Sequence, residues 1–218
     1  ENKPFYIRSC NIRRITFTIV EKETERLLLN FRHGVNTVLI SPRRWGKTSL
    51  VQKVCRLRNQ INLKVGYLDI FSCRSDRDFY DAFAAAVLKQ TSSKLDEWLE
   101  NARLFLSRIS PKISMSTDPM TDFSISLEMN PKSNDIDEIL QLPEKIAQKK
   151  GYNIVICIDE FQQIAEFKDS KIFQKRLRTV WQLQKSVSYC LFGSKKHLMN
   201  EFLRKRAFHF YKIRLIRL

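Results

Sequence analysis

Polar and apolar positions along this chain switch repeatedly between a strand rhythm and a helix rhythm. Apolar runs at Thr37–Ile40, Val65–Phe71, Ile154–Ile158 and Val187–Phe192 predict strands, and the unbroken run at 154–158 is that of a strand covered on both faces. Between them the apolar residues fall three and four apart. Glu21 to Phe31 is expected to be a helix burying Leu27, Leu28 and Phe31, with Gly34 suited to its C-cap. Leu50, Val51, Val54 and Leu57 predict a second helix, fading near Arg58. A third runs from Arg77 to near Gln90, with Asp76 as its cap, and a fourth from Lys94 to Ile109, closed by Ser110-Pro111. A fifth, capped by Asn134 or Asp135, reaches Lys150 and stops at Gly151. Lys171 to Lys185 predicts a sixth, with Ile172, Phe173, Leu177, Val180 and Trp181 on its buried side, and His197 to Arg206 a short basic one. Ile113 to Met129 alternates with Ser and Glu around Thr117-Asp118-Pro119, which predicts a β-hairpin. Phe208 to Leu218 alternates like a last strand, and residues 1–20 show no clear period. Strands alternating with helices predict a parallel sheet with helices on both faces.

A chain of 218 residues can bury one substantial core. No run approaches the ~18–20 apolar residues that span a membrane, and the first residues lack an apolar signal region with a small-residue cleavage site, so a cytoplasmic protein is expected. Five scattered cysteines without C-x-x-C spacing fit free thiols in a reducing compartment better than disulfides or zinc. The net charge of +16 is uneven. Residues 1–64 carry 14 Lys and Arg against 4 Asp and Glu, residues 65–170 carry 12 against 18, and residues 171–218 carry 13 against 1. Two basic ends around an acidic middle suggest a polyanion, nucleic acid first and an anionic membrane surface second; an acidic partner domain is the other source of compensation.

The chemistry concentrates where the first strand meets its helix. Ser41-Pro42-Arg43-Arg44-Trp45-Gly46-Lys47-Thr48-Ser49 follows the phosphate-loop pattern G-x-x-x-x-G-K-[ST], with Ser41 in place of the first glycine. A turn at a helix N-terminus aims backbone N–H groups at a phosphate. Gly46 lets the backbone approach, Lys47 offers a point charge to the β- and γ-phosphates, and the Thr48 hydroxyl can ligate Mg²⁺. A second acidic element complements it. The apolar run Ile154–Ile158 delivers Asp159 at its carboxyl end, where parallel sheets bind ligands, and Glu160 follows. Asp159 is the expected Mg²⁺ carboxylate, and Glu160 the group that orients or deprotonates an attacking water.

These segments, with Tyr67-Leu68-Asp69, Ile158-Asp159-Glu160-Phe161-Gln162 and Phe192-Gly193-Ser194, resemble the archaeal/bacterial P-loop ATPase family over about residues 21–215. That family lies in the STAND branch, close to AAA+ and origin-recognition ATPases. The resemblance implies a three-layer α/β domain of the ASCE type, with a parallel sheet of order 5-1-4-3-2, and binding of ATP with Mg²⁺. On this sequence it divides the chain into an extension, 1–20, and an ATPase domain, 21–218, into which the hairpin is inserted. The family's helical lid and winged-helix domain are expected to lie outside the chain, which stops just after the fifth strand pattern. The resemblance places Ser194 as a sensor of the γ-phosphate or attacking water. It places Arg206, or Arg204, where relatives carry an arginine that acts on a neighbouring subunit, which implies a homo-oligomer; a DNA-facing basic helix end is the other reading. Thr18 to Glu23 keeps the acidic tail of the family's Gly-Arg-x-x-Glu adenine segment and lacks its Gly and Arg. The expectation is an ATP-hydrolysing switch in a DNA-associated process; the alternative is a nucleotide-binding scaffold with little hydrolysis.

Overall fold

A strand that is mostly apolar on both faces needs cover on both, and two such strands, over 153–159 and 187–193, form the middle of this protein. The structure, a computed structural model, describes residues 21–40, 46–56, 63–92, 95–105, 112–116, 124–128, 136–194 and 213–217. In chain order these form helix α1 (residues 21–32), β1 (Asn36–Ile40), α2 (Lys47–Arg56), β2 (Leu63–Asp69), α3 (Asp76–Thr91) and α4 (Leu95–Phe105). Then come β3 (Lys112–Ser116), β4 (Ser124–Glu128), α5 (Ile136–Lys150), β5 (Asn153–Asp159), a 3-10 turn (Phe161–Glu166), α6 (Ser170–Trp181), β6 (Val187–Gly193) and β7 (Ile213–Arg217).

The main sheet has the order β2-β5-β6-β1-β7, and every neighbouring pair is parallel. Numbering only these five strands gives 2-3-4-1-5, the expected 5-1-4-3-2 read from the other edge. Side chains leave a strand alternately to either face, so each central strand feeds two cores. Ile154, Ile156 and Ile158 of β5 join Val38, Ile40 and Leu191 under α3, α5 and α6, where Phe79, Phe83, Leu140, Ile146, Leu177 and Trp181 cover them. Val155 and Cys157 join Leu39, Cys190 and Phe192 on the opposite face, under Leu27 and Phe31 of α1 and Val51 and Val54 of α2. Three layers result. The hairpin is present as well: β3 and β4 pair antiparallel with Ser114 opposite Ser126, and β4 lies beside α3.

Several boundaries differ from the sequence reading. Asp76 does not cap α3 but is its first residue; Ser75 is the N-cap, its Oγ accepting from Asp78 N at 3.1 Å while Asp78 Oδ2 accepts from Ser75 N at 3.0 Å. Strand β2 runs from Leu63 to Asp69, so Phe71 lies beyond it. Helix α6 ends at Trp181, four residues short of Lys185, and Leu183 is exposed. Helix α5 continues through Pro143, which removes one i→i−4 bond yet is buried in the fold. Residues 1–20, the helix expected over 197–206 and the start of the strand expected over 208–218 lie outside the described residues. Cys55, Cys73, Cys157 and Cys190 are free thiols; Cys10 lies outside the described residues.

Candidate active site

The carboxyl ends of β1, β5 and β6 lie side by side, and the residues that follow each of them share one cleft. After β1 the loop residues Ser41, Pro42, Arg43, Arg44 and Trp45 lie outside the described residues; the description resumes at Gly46. Gly46 has φ +72°, a backbone that an L side chain rarely adopts, and no described atom lies within 4 Å of where its Cβ would stand. Its carbonyl accepts from Leu50 N at 2.8 Å and so starts α2, whose first residue is Lys47. Lys47 is buried, 7% exposed. Burial pushes its ammonium pKa down, while the carboxylates of Glu160 and Asp159 pull it back up. The net direction is down, because burial outweighs the two carboxylates.

Asp159 ends β5 and continues the Val155–Cys157 face, the one that α2 covers. Its carboxylate, 6% exposed, is satisfied from three directions. Oδ2 accepts from Thr48 Oγ1 at 2.8 Å and from Tyr67 Oη at 2.9 Å, and Oδ1 accepts from Glu160 N at 2.8 Å. Tyr67 reaches it because β2 pairs with β5 in a register that sets Tyr67 opposite Cys157 and Asp69 opposite Asp159. Burial, and next the bond to Asp159, push the Tyr67 phenol well above its ordinary pKa. Tyr67 belongs to the site; in the sequence it stands in the Tyr67-Leu68-Asp69 segment of the resemblance, on the same alternate face as Val65 and Asp69, with no role attached to it.

Glu160 is the one non-glycine residue with positive φ among the described residues, at φ 52° and ψ 36°. Holding a glutamate in that region costs about 1–3 kcal/mol and marks a place where surroundings dictate the backbone. The Glu160 backbone N–H donates to Asp159 Oδ1 and its carbonyl accepts from Gln163 N at 2.8 Å, while its side chain is held through one oxygen. Glu160 Oε2 accepts from Ser194 Oγ at 3.1 Å and from Gln162 Nε2. Gln162, only 2% exposed, lies against Gly193 at the end of β6, and a Cβ at Gly193 would come within 1.7 Å of Gln162 Oε1. Among the described residues that Oε1 is buried without a hydrogen-bond partner, a cost of about 1–3 kcal/mol.

Gly46, Lys47, Thr48, Ser49, Phe71, Glu160 and Ser194 line a cleft of about 550 Å³. Phe71, 72% exposed, stands at its rim. The fold thus brings Lys47, Thr48 and Ser49 from one segment together with Asp159, Glu160 and Ser194 from two others. Arg204 and Arg206 lie outside the described residues. The donor set fits Mg²⁺ in the form that phosphate sites use, one carboxylate and one hydroxyl with the remaining positions left to water and phosphate oxygens. The cleft is of a size for the phosphates and sugar of a nucleotide.

No protein-family model matches the sequence, and no curated protein matches it. Solved structures do. A Walker-type ATPase of Pyrococcus abyssi superposes with a TM-score of 0.54 at 18% identity, over 90% of this chain and 53% of that one. The ORC2 protein of Aeropyrum pernix, solved as ADPNP-ADP complexes, gives 0.54 at 14% identity over 92% and 47%. The ORC1 protein of Aeropyrum pernix, solved in complex with DNA, gives 0.54 at 15% identity over 90% and 44%. The chain spans about half the length of these structures. At such identities the likeness is one of fold, that of the Walker-type and origin-recognition ATPases.

Proposed function

We propose that this chain is a Mg²⁺-dependent ATP-binding and hydrolysing domain, of the STAND branch, whose nucleotide state switches a DNA-associated assembly. One observation carries the reading: the hydrogen bond from Thr48 Oγ1 to Asp159 Oδ2 at 2.8 Å joins the phosphate-loop helix to the end of β5 across 111 positions of sequence. Residues 41–49 cradle the phosphates, Lys47 faces the β- and γ-oxygens, and Thr48 and Asp159 hold Mg²⁺. Bound there, the ion supplies positive charge to the oxygens on which negative charge develops. Glu160 orients and deprotonates water, and Ser194 reports the γ-phosphate. Arg206 serves a neighbouring subunit as an arginine finger. Residues 21–218 are the ATPase domain in this reading, and residues 1–20 an extension of it.

The DNA part rests on charge. Strands β1 and β7, which pair along their whole length, are drawn from residues 1–64 and 171–218, the two basic segments of the sequence. The DNA complex of the Aeropyrum pernix ORC1 protein adds a precedent on the same fold. The test is ATP turnover with and without duplex DNA, for the wild type and for Glu160→Gln. The wild type is expected to turn over ATP, faster with DNA. Glu160→Gln is expected to keep Mg²⁺-ATP bound while turnover falls about 100-fold or more, because the amide keeps the shape and cannot act as a base. Nucleotide binding without turnover by the wild type would leave a scaffold module, and no binding at all would remove the reading.

A further inference from the structure

We infer that Gln162 is a positioning residue for Glu160, seated by the missing side chain of Gly193; the inference rests on the reading of the cleft as a hydrolytic site. Four observations meet here. Glu160 holds a left-handed backbone that its residue type disfavours, so something other than local preference keeps it there. Gln162 Nε2 donates to Glu160 Oε2, and Ser194 Oγ donates to the same oxygen at 3.1 Å. The Gln162 amide is buried, and its Oε1 has no hydrogen-bond partner among the described residues. That oxygen occupies the place that a Cβ at Gly193 would take, at 1.7 Å. A buried amide that leaves half its capacity unused is retained for what its other half holds.

The geometry then assigns a division of labour within one carboxylate. Both donors fall on Oε2, so Oε1 is the oxygen left to meet a water. Ser194 directly follows β6 and Gln162 lies in the 3-10 turn after β5, so the two donors approach from separately anchored elements and fix the carboxylate in rotation as well as in place. Ser194 alone could be drawn away by a phosphate oxygen. Gln162 cannot follow it, because its amide is wedged between Glu160 and the backbone of Gly193. Turnover therefore depends on Gln162 although Gln162 touches neither nucleotide nor water.

The experiment uses Gln162→Ala and Gly193→Ala, singly and together, with three readouts. A methyl at Gly193 has to displace the Gln162 amide, so both single variants break one and the same contact. Each is expected to lower kcat about tenfold or more, the usual scale for losing the group that orients a general base. The affinity for a fluorescent ATP analogue is expected to stay within about twofold, because Lys47 and Thr48 are untouched. The double variant is expected to lose no more kcat than either single one. In thermal melts without nucleotide, Gly193→Ala is expected to lower Tm in the parent and much less in the Gln162→Ala background. Parental kcat in Gln162→Ala, or additive losses of kcat in the double variant, would overturn the inference while leaving the ATPase reading intact. A parent that neither binds nor turns over ATP would overturn the reading and the catalytic role together; additive Tm changes would overturn the seat at Gly193 whatever the activity.

Discussion

Three donors converge on the carboxylate of Asp159, and Tyr67 is the one whose removal leaves the others in place. Thr48 Oγ1 is the donor that a Mg²⁺ ion would draw off, which makes the tyrosine hydroxyl the constant partner of Oδ2. Tyr67→Phe keeps the ring against Phe192, 6.3 Å between centroids, and deletes only the hydroxyl. A hydrogen bond to a charged group contributes about 1.5–3 kcal/mol, so the Mg²⁺ concentration at half-saturation of nucleotide binding is expected to rise about tenfold. A Mg²⁺ titration of a fluorescent ATP analogue reads this directly; an unchanged midpoint would relieve Tyr67 of the role. Because its pKa is raised in the folded state, the phenol keeps its proton where an unfolded tyrosine would release it, and its contribution persists up to about pH 10 before declining as the pH rises further. That Lys47, Thr48, Asp159 and Glu160 come together was legible because each stands at a fixed offset from a strand end or a glycine, while Ser194 came from the resemblance. Tyr67 and Gln162 stood in segments of that resemblance, but their contacts with Asp159 and Glu160 were not legible. The first depends on the register between β2 and β5, the second on the absence of a side chain on β6, and neither is a property of neighbouring residues in the chain.

Among the elements, α3 shows how a boundary is decided by reciprocity. Ser75 and Asp76 are both residues that cap helices, and the preference of either alone does not choose between them. Asp78 decides: it stands three residues after Ser75, and its carboxylate accepts from the backbone N–H groups of Arg74 and Ser75. The Arg74 N–H is the first cause that holds the Asp78 carboxyl below its usual range, so this support is present above about pH 4 and is lost as pH falls below it. Ser75→Ala is expected to cost about 1 kcal/mol, a Tm shift of about 2–4 °C for a domain of this size, measured by circular dichroism. A shift below one degree would assign the start of α3 to its packing on β2 instead. The central strands were the easiest elements to read, since a strand buried on both faces has few polar positions to blur its limits, as in β6, where all seven residues are buried and Ser188 is the one small polar break in an otherwise apolar and aromatic run. Strand β2 was harder. Lys64 and Asp69 are exposed at its two ends, and the apolar Ile70 and Phe71 extend the pattern past the last paired residue. Pro143 was passed over without disturbing the reading of α5, because packing of Ile139, Leu142 and Ile146 outweighs one missing bond.

At the scale of the whole molecule, the sheet sets strands from the two basic segments of the sequence side by side: β1 comes from residues 1–64, and β6 and β7, its neighbours on either side, from residues 171–218. Duplex DNA docking there is expected to follow counterion release. With about six phosphates neutralised, affinity measured by fluorescence anisotropy would fall about 10³-fold between about 50 and 200 mM salt, with little dependence on base sequence. A flat salt response would point to a protein partner. The cleft itself has a mechanical property that follows from the reversed backbone at Glu160. Asp159 and Glu160 are consecutive, yet they are mounted on different bodies: Asp159 on α2 and β2 through Thr48 and Tyr67, Glu160 on β6 and the following turn through Ser194 and Gln162. A shift of α2 against the sheet would pull first on the Asp159 carboxylate, and would reach Glu160 through the bond from its backbone N–H to Asp159 Oδ1. The pair works as two jaws with side chains anchored apart, and the joint between them is one peptide unit.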